Sequence, residues 1–354
     1  MNSFYATFIP GLQDLIAETV KQRLCDAKIH RLLEGAVLFE TETSYDKLNF
    51  FCFNNIFAVV SIMEHAAGNE GTNALEKHIK AAIKESGAEE IIANNSGKIK
   101  SFRIVFSREN VPATVDEKLR LEAEKYISRI SGLKIDRSLP DTEFWFLFRR
   151  EDEHNGKNFS VFMKRLSLRP SWEKSLHKGE LPPPLAWALC RIARLSHGET
   201  ILDPFCGYGA IPQAALKHFH ITKFIACDSD KKAALFTAAG FKKRNRDDFI
   251  LHHCDFNALP SLVAEKSIDA VVTDPPWGHY REINGNEFYA KMFAVFVKLL
   301  KDGGRAVVLC ANKEMLLKAV PGCFRLEKSV PILLSGKKTV VFEFAKKSSH
   351  EGAE

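Results

Sequence analysis

The chain has no CxxC pair among its eight cysteines, no apolar run of membrane-spanning length, no internal repeat and no low-complexity stretch. The scattered cysteines exclude a zinc module built on paired thiols. Cys206, Cys227, Cys254 and Cys310 fall in or beside apolar segments, as reduced core thiols do. The longest apolar stretch, residues 50–63, is interrupted by Asn54 and Asn55 and is too short to span a bilayer. The first residues show no basic segment followed by an apolar core, so no secretory signal is expected and the cytoplasm is the expected compartment. A strong excess of one charge sign is also missing, since the formal net charge of a 354-residue chain is only +6, a mild tilt toward an anionic partner. Basic residues gather locally in 163–169 and 241–246, and either run suits phosphates or simply a solvated face.

What is present is a long globular chain, 45% hydrophobic and 27% charged, with room for two or three domains. From about Thr200 short apolar strands alternate with helices. The strands read 200–203, 223–228, 249–255, 270–274 and 305–310, and helices fit 211–219, 231–243, 286–301 and 312–319. This pattern predicts an α/β domain with a parallel sheet covered on both faces, closed by a hairpin over 331–344. Before it, strands over 3–9, 35–41 and 57–63 alternate with helices over 11–24 and 44–54, which predicts a ferredoxin-like module; Leu12, Leu15, Ile16, Val20 and Leu24 share one face of the first helix. A further α+β unit has helices at 73–86 and 114–130 and strands at 101–107 and 144–150. The expected boundaries are 1–66, 67–166, a linker over 167–183, and 184–347, with a proline-stiffened joint opening a helix into the last domain.

Two runs carry the chemistry. Residues 201–210 read as a buried strand, a turn with Gly207 and Gly209, and a helix from about Ile211. That shape lets backbone N–H groups and a helix N-terminus approach a ligand without Cβ interference. Residues 271–278 place Asp274, Pro275, Pro276 and Trp277 where a strand ends, a rigid polar corner beside a stacking surface, with Gly278 giving clearance.

Together these runs resemble the motifs of S-adenosylmethionine-dependent amino-methyltransferases. The stretches 101–108, 132–150 and 158–166, with Leu139-Pro140-Asp141 before a strand, resemble the RNA-binding THUMP domain. The order of the three parts resembles the THUMP-containing tRNA guanine-N2 methyltransferase family. The resemblance implies a class I, Rossmann-like methyltransferase domain with a terminal antiparallel hairpin, preceded by ferredoxin-like and THUMP domains. It implies S-adenosyl-L-methionine as cofactor, tRNA as partner, no metal, no membrane, a monomer and no obligate protein partner. Asp203, Pro204, Cys206, Gly207 and Gly209 would form the turn around the methionine part. Asp228, with Ser229 beside it, would take the ribose hydroxyls, and Asp255, with Phe256, the adenine. Asp274 and the Pro275 carbonyl would hold the exocyclic amine, and Trp277 would stack on an extruded base. Arg103, Arg149, Arg150, Lys164, Arg165, His279 and Arg281 are the candidate RNA contacts. The family usually has Ser or Thr where this chain has Tyr208, which either crowds the cofactor or packs outward.

The implied reaction is formation of N2-methylguanosine in tRNA, first at acceptor-stem position 6 and next at position 10, with dimethylation also open. Adenine-N6 methylation of RNA or DNA stays open, because an acidic-Pro-Pro-aromatic corner serves both amines. So does a non-catalytic RNA-binding protein that keeps a methyltransferase shell. Other constellations lose. His252-His253-Cys254 resembles metal ligands, but neighbours on a strand point to opposite faces and no second pair has zinc spacing. Ser171, Ser175 and His177 lack a nucleophile elbow, and Phe50, Phe51 and Phe53 are expected core.

Overall fold

The computed structural model describes the chain apart from residues 46, 49–50, 67–70, 85–88, 96, 110, 151–157, 168–175, 243–246, 278–284, 335 and 349–354, and apart from the side chains of 285 and 286. Two compact units emerge, residues 1–8 with 16–171 and residues 9–15 with 172–354. No helix among the described residues is long and apolar enough to cross a membrane.

The first unit is built on one nine-stranded sheet among the described residues. In chain order its elements are β1 (Asn2–Thr7), α1 (Gln13–Arg23), β2 (Lys28–Leu33), β3 (Ala36–Thr41), β4 (Asn55–His65), α2 (Thr72–Lys84), α3 (Glu89–Ala93), β5 (Ser101–Arg108), β6 (Val111–Pro112), α4 (Glu117–Ser131), β7 (Lys134–Ile135), β8 (Thr142–Arg150) and β9 (Asn158–Arg165). The order across the sheet is β2-β3-β1-β4-β9-β8-β5-β6, with β7 on β5. Both faces are covered because β8 and β9 alternate two apolar sets. Phe144, Phe146, Phe148 and Phe162 pack with Leu75, Ile79 and Ile127 of the helices, while Leu147, Phe159, Val161 and Met163 pack with Tyr5, Leu38 and Phe57. Phe146 and Phe162 stack at 4.2 Å between ring centres. Local rules set α4: Asp116 accepts from the Leu119 N–H at its start, and Gly132 ends it at φ 70°.

Two local expectations fail here. β2 is an unexpected strand: its exposure alternates up to buried Leu33, but Arg31 takes a half-buried position and Leu32 an exposed one, which blurs the apolar pattern. The helix expected over 44–54 is replaced by turns and bends among its described residues. Its aromatic spacing reflects burial of Phe53, which lies near Phe39 at 6.3 Å, rather than a helical face; Phe51 is half-buried and Phe50 lies outside the described residues.

The second unit holds α5 (Pro183–Ile192), β10 (Thr200–Asp203), α6 (Ala210–His218), β11 (Lys223–Asp228), α7 (Lys231–Lys242), β12 (Phe249–His253), β13 (Ile268–Thr273), α8 (Gly285–Leu299), β14 (Leu300–Cys310), α9 (Lys313–Lys318), β15 (Phe324–Leu334) and β16 (Lys337–Lys346), with a short 3-10 helix over Phe256–Ser261. The strand order is β12-β11-β10-β13-β14-β16-β15. The first five strands in that order run parallel. β16 returns antiparallel to both β14 and β15, as the terminal hairpin predicts. The inner parallel strands β10, β11 and β13 are largely buried, in a core that includes Leu202, Val271, Phe293, Ala306 and Phe342, whereas edge strand β12 is half-buried along its length and exposed at His253. β11 and β13 flank β10 on opposite sides, so the winding direction switches at β10 and a crevice opens outside its carboxyl end.

Candidate active site

Every acidic residue singled out in the C-terminal unit lies at the carboxyl end of one of these strands. Asp203 ends β10 and Asp228 ends β11, Asp255 lies two residues past β12, and Asp274 follows β13 directly. The parallel register sets Asp203 opposite Ala226 and Cys227 opposite His252, so the ends form one row along the crevice.

The turn after β10 is tied to its neighbours by backbone bonds. The Cys206 N–H donates to the Cys227 carbonyl at 2.9 Å, and the Gly209 N–H to Cys206 at 2.8 Å. The Gly207 N–H donates to Asp228 Oδ2 at 2.7 Å, while the Thr237 hydroxyl donates to the Gly207 carbonyl at 2.9 Å. Gly207 and Gly209 stand at φ 52° and 85°, a left-handed conformation that other residues rarely adopt. A Cβ on Gly209 would come within 2.9 Å of Thr237 Cγ2, whereas one on Gly207 would meet nothing within 4 Å. The turn is therefore closed on its α7 side and open at Gly207. Pro204 is buried, and burial holds the Cys206 thiol well above its usual range.

Asp203 is 1% exposed. Its Oδ1 accepts from the Thr273 hydroxyl at 2.7 Å and the Phe205 N–H at 3.1 Å, but Oδ2 is buried with no partner. Burial pushes its carboxyl up to about 7; the Thr273 and Phe205 bonds work against this, and the Asp228 charge adds to it. Asp274 behaves similarly. Its Oδ1 is buried without a partner, and burial, reinforced by Asp203, holds it well above the usual carboxylate range against the Trp277 indole. Buried acceptors without donors are costly in isolation and mark a place where donors or a positive charge belong.

Pro275 is buried and Trp277 half-buried. The Trp277 indole N–H donates to the Leu309 carbonyl at 3.3 Å, and Asn312 donates its side-chain N–H to the Trp277 carbonyl at 3.2 Å. The corner is thus pinned to the end of β14. Asp255 is exposed and caps the short 3-10 helix, its Oδ1 accepting from the Asn257 N–H at 2.9 Å and the Asn257 side chain at 2.7 Å. Phe256 packs against Phe205 at 5.0 Å and Phe288 at 5.4 Å, a ring cluster beside that cap. Ser229 is exposed next to Asp228. Tyr208 is half-buried, its ring stacked on His177 at 4.1 Å.

The geometry of this row suits S-adenosylmethionine. Asp228 can accept from vicinal hydroxyls, the open side of Gly207 leaves room for a chain of methylenes, and two buried carboxyl groups with free oxygens suit a sulfonium cation. Among the described residues no group of three or more His, Cys, Asp or Glu could hold a metal ion. Cys254 turns toward Cys227, with 3.5 Å between sulfurs.

The basic residues expected to meet RNA fare differently. Lys164 is 3% exposed. It donates to the Ile91 carbonyl at 3.2 Å and to Asn95 Oδ1 at 2.7 Å, with Asn94 also accepting, so it caps the end of α3 instead of facing a phosphate. Burial lowers its ammonium to about 8. Buried Glu143 holds both Arg103 Nε at 2.9 Å and Arg165 Nη1 at 3.0 Å. Arg149 is buried and donates to the Glu34 carbonyl at 3.1 Å. These four side chains are engaged by groups within the N-terminal unit, Arg103 keeping part of its surface exposed. Arg150 is exposed; His279 and Arg281 lie outside the described residues, as does Gly278.

The sequence alone does not single out Thr273, Thr237 or Asn312. Thr273 carries a weak signal, adjacent to Asp274, whereas Thr237 and Asn312 reach the site only through the fold.

A family model described as RMKL-like, methyltransferase domain matches residues 170–329. The chain is 32% identical over 165 residues to the tRNA (guanine(10)-N2)-dimethyltransferase of Methanocaldococcus jannaschii, a match spanning 45% of each chain. It is 25% identical over 251 residues to the tRNA (guanine(6)-N2)-methyltransferase of Thermus thermophilus, covering 70% of this chain and 72% of that one. Over 134 residues it is 31% identical to a probable tRNA (guanine(10)-N2)-dimethyltransferase of Methanothermococcus thermolithotrophicus, 36% of this chain and 80% of that one. The crystal structure of TrmN from Thermus thermophilus shares the fold, with a TM-score of 0.76 at 22% identity over 98% of this chain and 100% of that one.

Proposed function

The chain belongs to the THUMP-containing tRNA guanine-N2 methyltransferase family, and from that premise we propose that it forms N2-methylguanosine in tRNA, using S-adenosylmethionine. The observation that carries the proposal is Asp274 with its buried, unpartnered Oδ1 in a corner locked by Pro275, Pro276 and the pinned Trp277.

When bound, S-adenosylmethionine supplies an electrophilic methyl on a cationic sulfonium. Asp228 would hold the ribose hydroxyls, Asp255 the adenine amino group, and the Gly207–Gly209 turn the methionine portion. An exocyclic amine is a poor nucleophile because its lone pair is delocalised into the base. Asp274 Oδ1 and the Pro275 carbonyl accept its two N–H bonds, hold the nitrogen pyramidal and aim the lone pair. Asp274 ionises once positive charge is seated beside it, and its raised basicity fits it to receive the proton that the methylated nitrogen sheds. Trp277 stacks on a base taken out of its helix. Positioning and fixed electrostatics carry most of the rate.

Position 6 in the acceptor stem is the first candidate and position 10 the next. The broad span of the match to the position-6 relative supports that order. The N-terminal unit docks the RNA.

The test is incubation of the full chain with unmethylated tRNA and labelled S-adenosylmethionine, followed by nucleoside mass spectrometry. N2-methylguanosine that disappears with Asp274→Ala is the expected result. Label in N6-methyladenosine overturns the choice of base, and no label in any RNA overturns the activity.

A further inference from the structure

Tyr208 is the one side chain between two glycines that both stand in left-handed backbone. Such a turn has little intrinsic preference for one shape, because glycine gives up more conformational freedom on ordering than any other residue. Something outside the backbone must hold it. The Tyr208 ring lies flat on His177, 4.1 Å between centres and 13° between planes. Phe236 meets both rings edge-on, at 5.5 Å from Tyr208 and 4.6 Å from His177. His177 is itself fixed, since its N–H donates to Glu180 Oε2 at 2.9 Å and its carbonyl accepts from the Glu180 N–H at 3.0 Å.

The partners on α7 are consecutive. Phe236 takes the Tyr208 ring, and Thr237 donates its hydroxyl to the Gly207 carbonyl at 2.9 Å. Gly207 in turn donates its N–H to Asp228 at 2.7 Å. One chain of contacts therefore runs from His177 through Tyr208 to Gly207 and on to the carboxylate at the end of β11. Phe236 is 47% exposed, although its edge closes the stack.

We propose that Tyr208 is a positioning residue: stacked on His177 and Phe236, it holds the Gly207–Gly209 turn, and through it the Asp228 carboxylate, in the shape that receives the cofactor. This rests on the reading of the crevice as an S-adenosylmethionine site. Tyr208 touches no reacting atom; it acts through the backbone on either side. The ring rather than the phenolic oxygen makes the stack, so Phe should serve as well as Tyr.

The full chain is titrated with S-adenosylhomocysteine by calorimetry as wild type, Tyr208→Phe, Tyr208→Ala, His177→Ala and the double Ala variant. Amide exchange over 205–210 is followed in the unliganded proteins. Tyr208→Phe is expected to bind within about twofold of wild type, and each single Ala variant to bind about fivefold more weakly, the range of an aromatic pair. The double variant should be little worse than either single one, because both remove the same stack. Exchange over the turn should quicken in the Ala variants and not in Tyr208→Phe. Unchanged or tighter binding by Tyr208→Ala, with unchanged exchange, overturns the proposal. If Tyr208→Ala fails to fold in a thermal melt, His177→Ala and Phe236→Ala decide by the same two readouts. Failure of the wild type to bind S-adenosylhomocysteine overturns the cofactor reading instead.

Discussion

The Gly207 N–H donates to Asp228 Oδ2 at 2.7 Å, so the turn after β10 and the end of β11 share one hydrogen bond across the cofactor crevice. Asp228 Oδ1 meanwhile accepts from the Asp230 N–H at 2.8 Å, which orders the start of α7. Removing this carboxylate therefore costs the turn and the start of α7 their bonds and, on the proposed reading, a ligand contact as well. Asp228→Ala is expected to weaken S-adenosylhomocysteine binding by about a hundredfold, and Asp228→Asn by less, since the amide oxygen keeps one acceptor. Calorimetry on the two variants, with a thermal melt to confirm folding, checks the order.

Asp203 gives the C-terminal unit a pH signature. Its native pKa of about 7 lies above the unfolded value of 3.8, so between those values the native state holds a proton that the unfolded chain has released. Stability contributed by the protonated form is fully present below pH 3.8 and is lost as pH rises through 7, a swing of about 4 kcal/mol. Asp203→Asn should flatten that dependence in denaturant melts of the unliganded protein.

The same groups couple protons to ligand charge. A sulfonium favours ionised Asp203 and Asp274, so S-adenosylmethionine should bind more tightly as pH rises toward 7 and should release protons on binding. Neutral S-adenosylhomocysteine should show less of both. Calorimetry in buffers of different ionisation enthalpy measures the protons directly.

Gly209 tests the turn from the steric side. It stands at φ 85°, and a Cβ there would meet Thr237 Cγ2 at 2.9 Å. Gly209→Ala should destabilise the fold by about 2 kcal/mol and weaken cofactor binding, because Thr237 must yield its bond to Gly207. Gly209→Ala combined with Thr237→Ser should recover part of the loss, having removed the clashing methyl.

The N-terminal unit should respond to acid in the opposite sense. His78 sits between two hydroxyls, Ser61 at 2.9 Å and Ser160 at 2.8 Å, and Ser160 also meets His65 at 2.7 Å. Burial, with His65 adding, lowers His78 from 6.5 to about 4. His65 is also lowered, by burial and Lys77 against the pull of Glu64. The unfolded chain then binds more protons than the native one between pH 6.5 and 4. Stability should fall as pH drops through that window, by about 3 kcal/mol for His78. Denaturant melts across that window, in which His78→Gln should lose the larger part of the dependence and keep the part due to His65, check it.

Much of this site is legible in the amino-acid sequence. Parallel buried strands are continuous apolar runs, so 200–203 and 223–228 appear in the sequence with their observed limits. Asp203, Asp228 and Asp274 are legible because the chain leaves each strand where the apolar run stops. The N-terminal unit is less so. Along β2 the half-buried Arg31 and exposed Leu32 blur the apolar alternation, and the aromatics of 44–54 imitate a helical face. Side-chain exposure is illegible for a plainer reason. Lys164 and Arg165 look like a basic surface run, yet the sheet sets them against carbonyls of α3 and the carboxylate of Glu143.

Local order thus determined which strands form, where they end and which acids lie at those ends, because backbone geometry and burial are encoded in neighbouring residues. Tertiary structure alone decided what those acids do to one another. The Gly207–Asp228 bond, the Thr273 hydroxyl on Asp203 and the His177–Tyr208 stack join residues 21, 70 and 31 positions apart. Hydrogen bonds and ring contacts act over a few ångströms, and only the packed sheet brings such distant positions within that range.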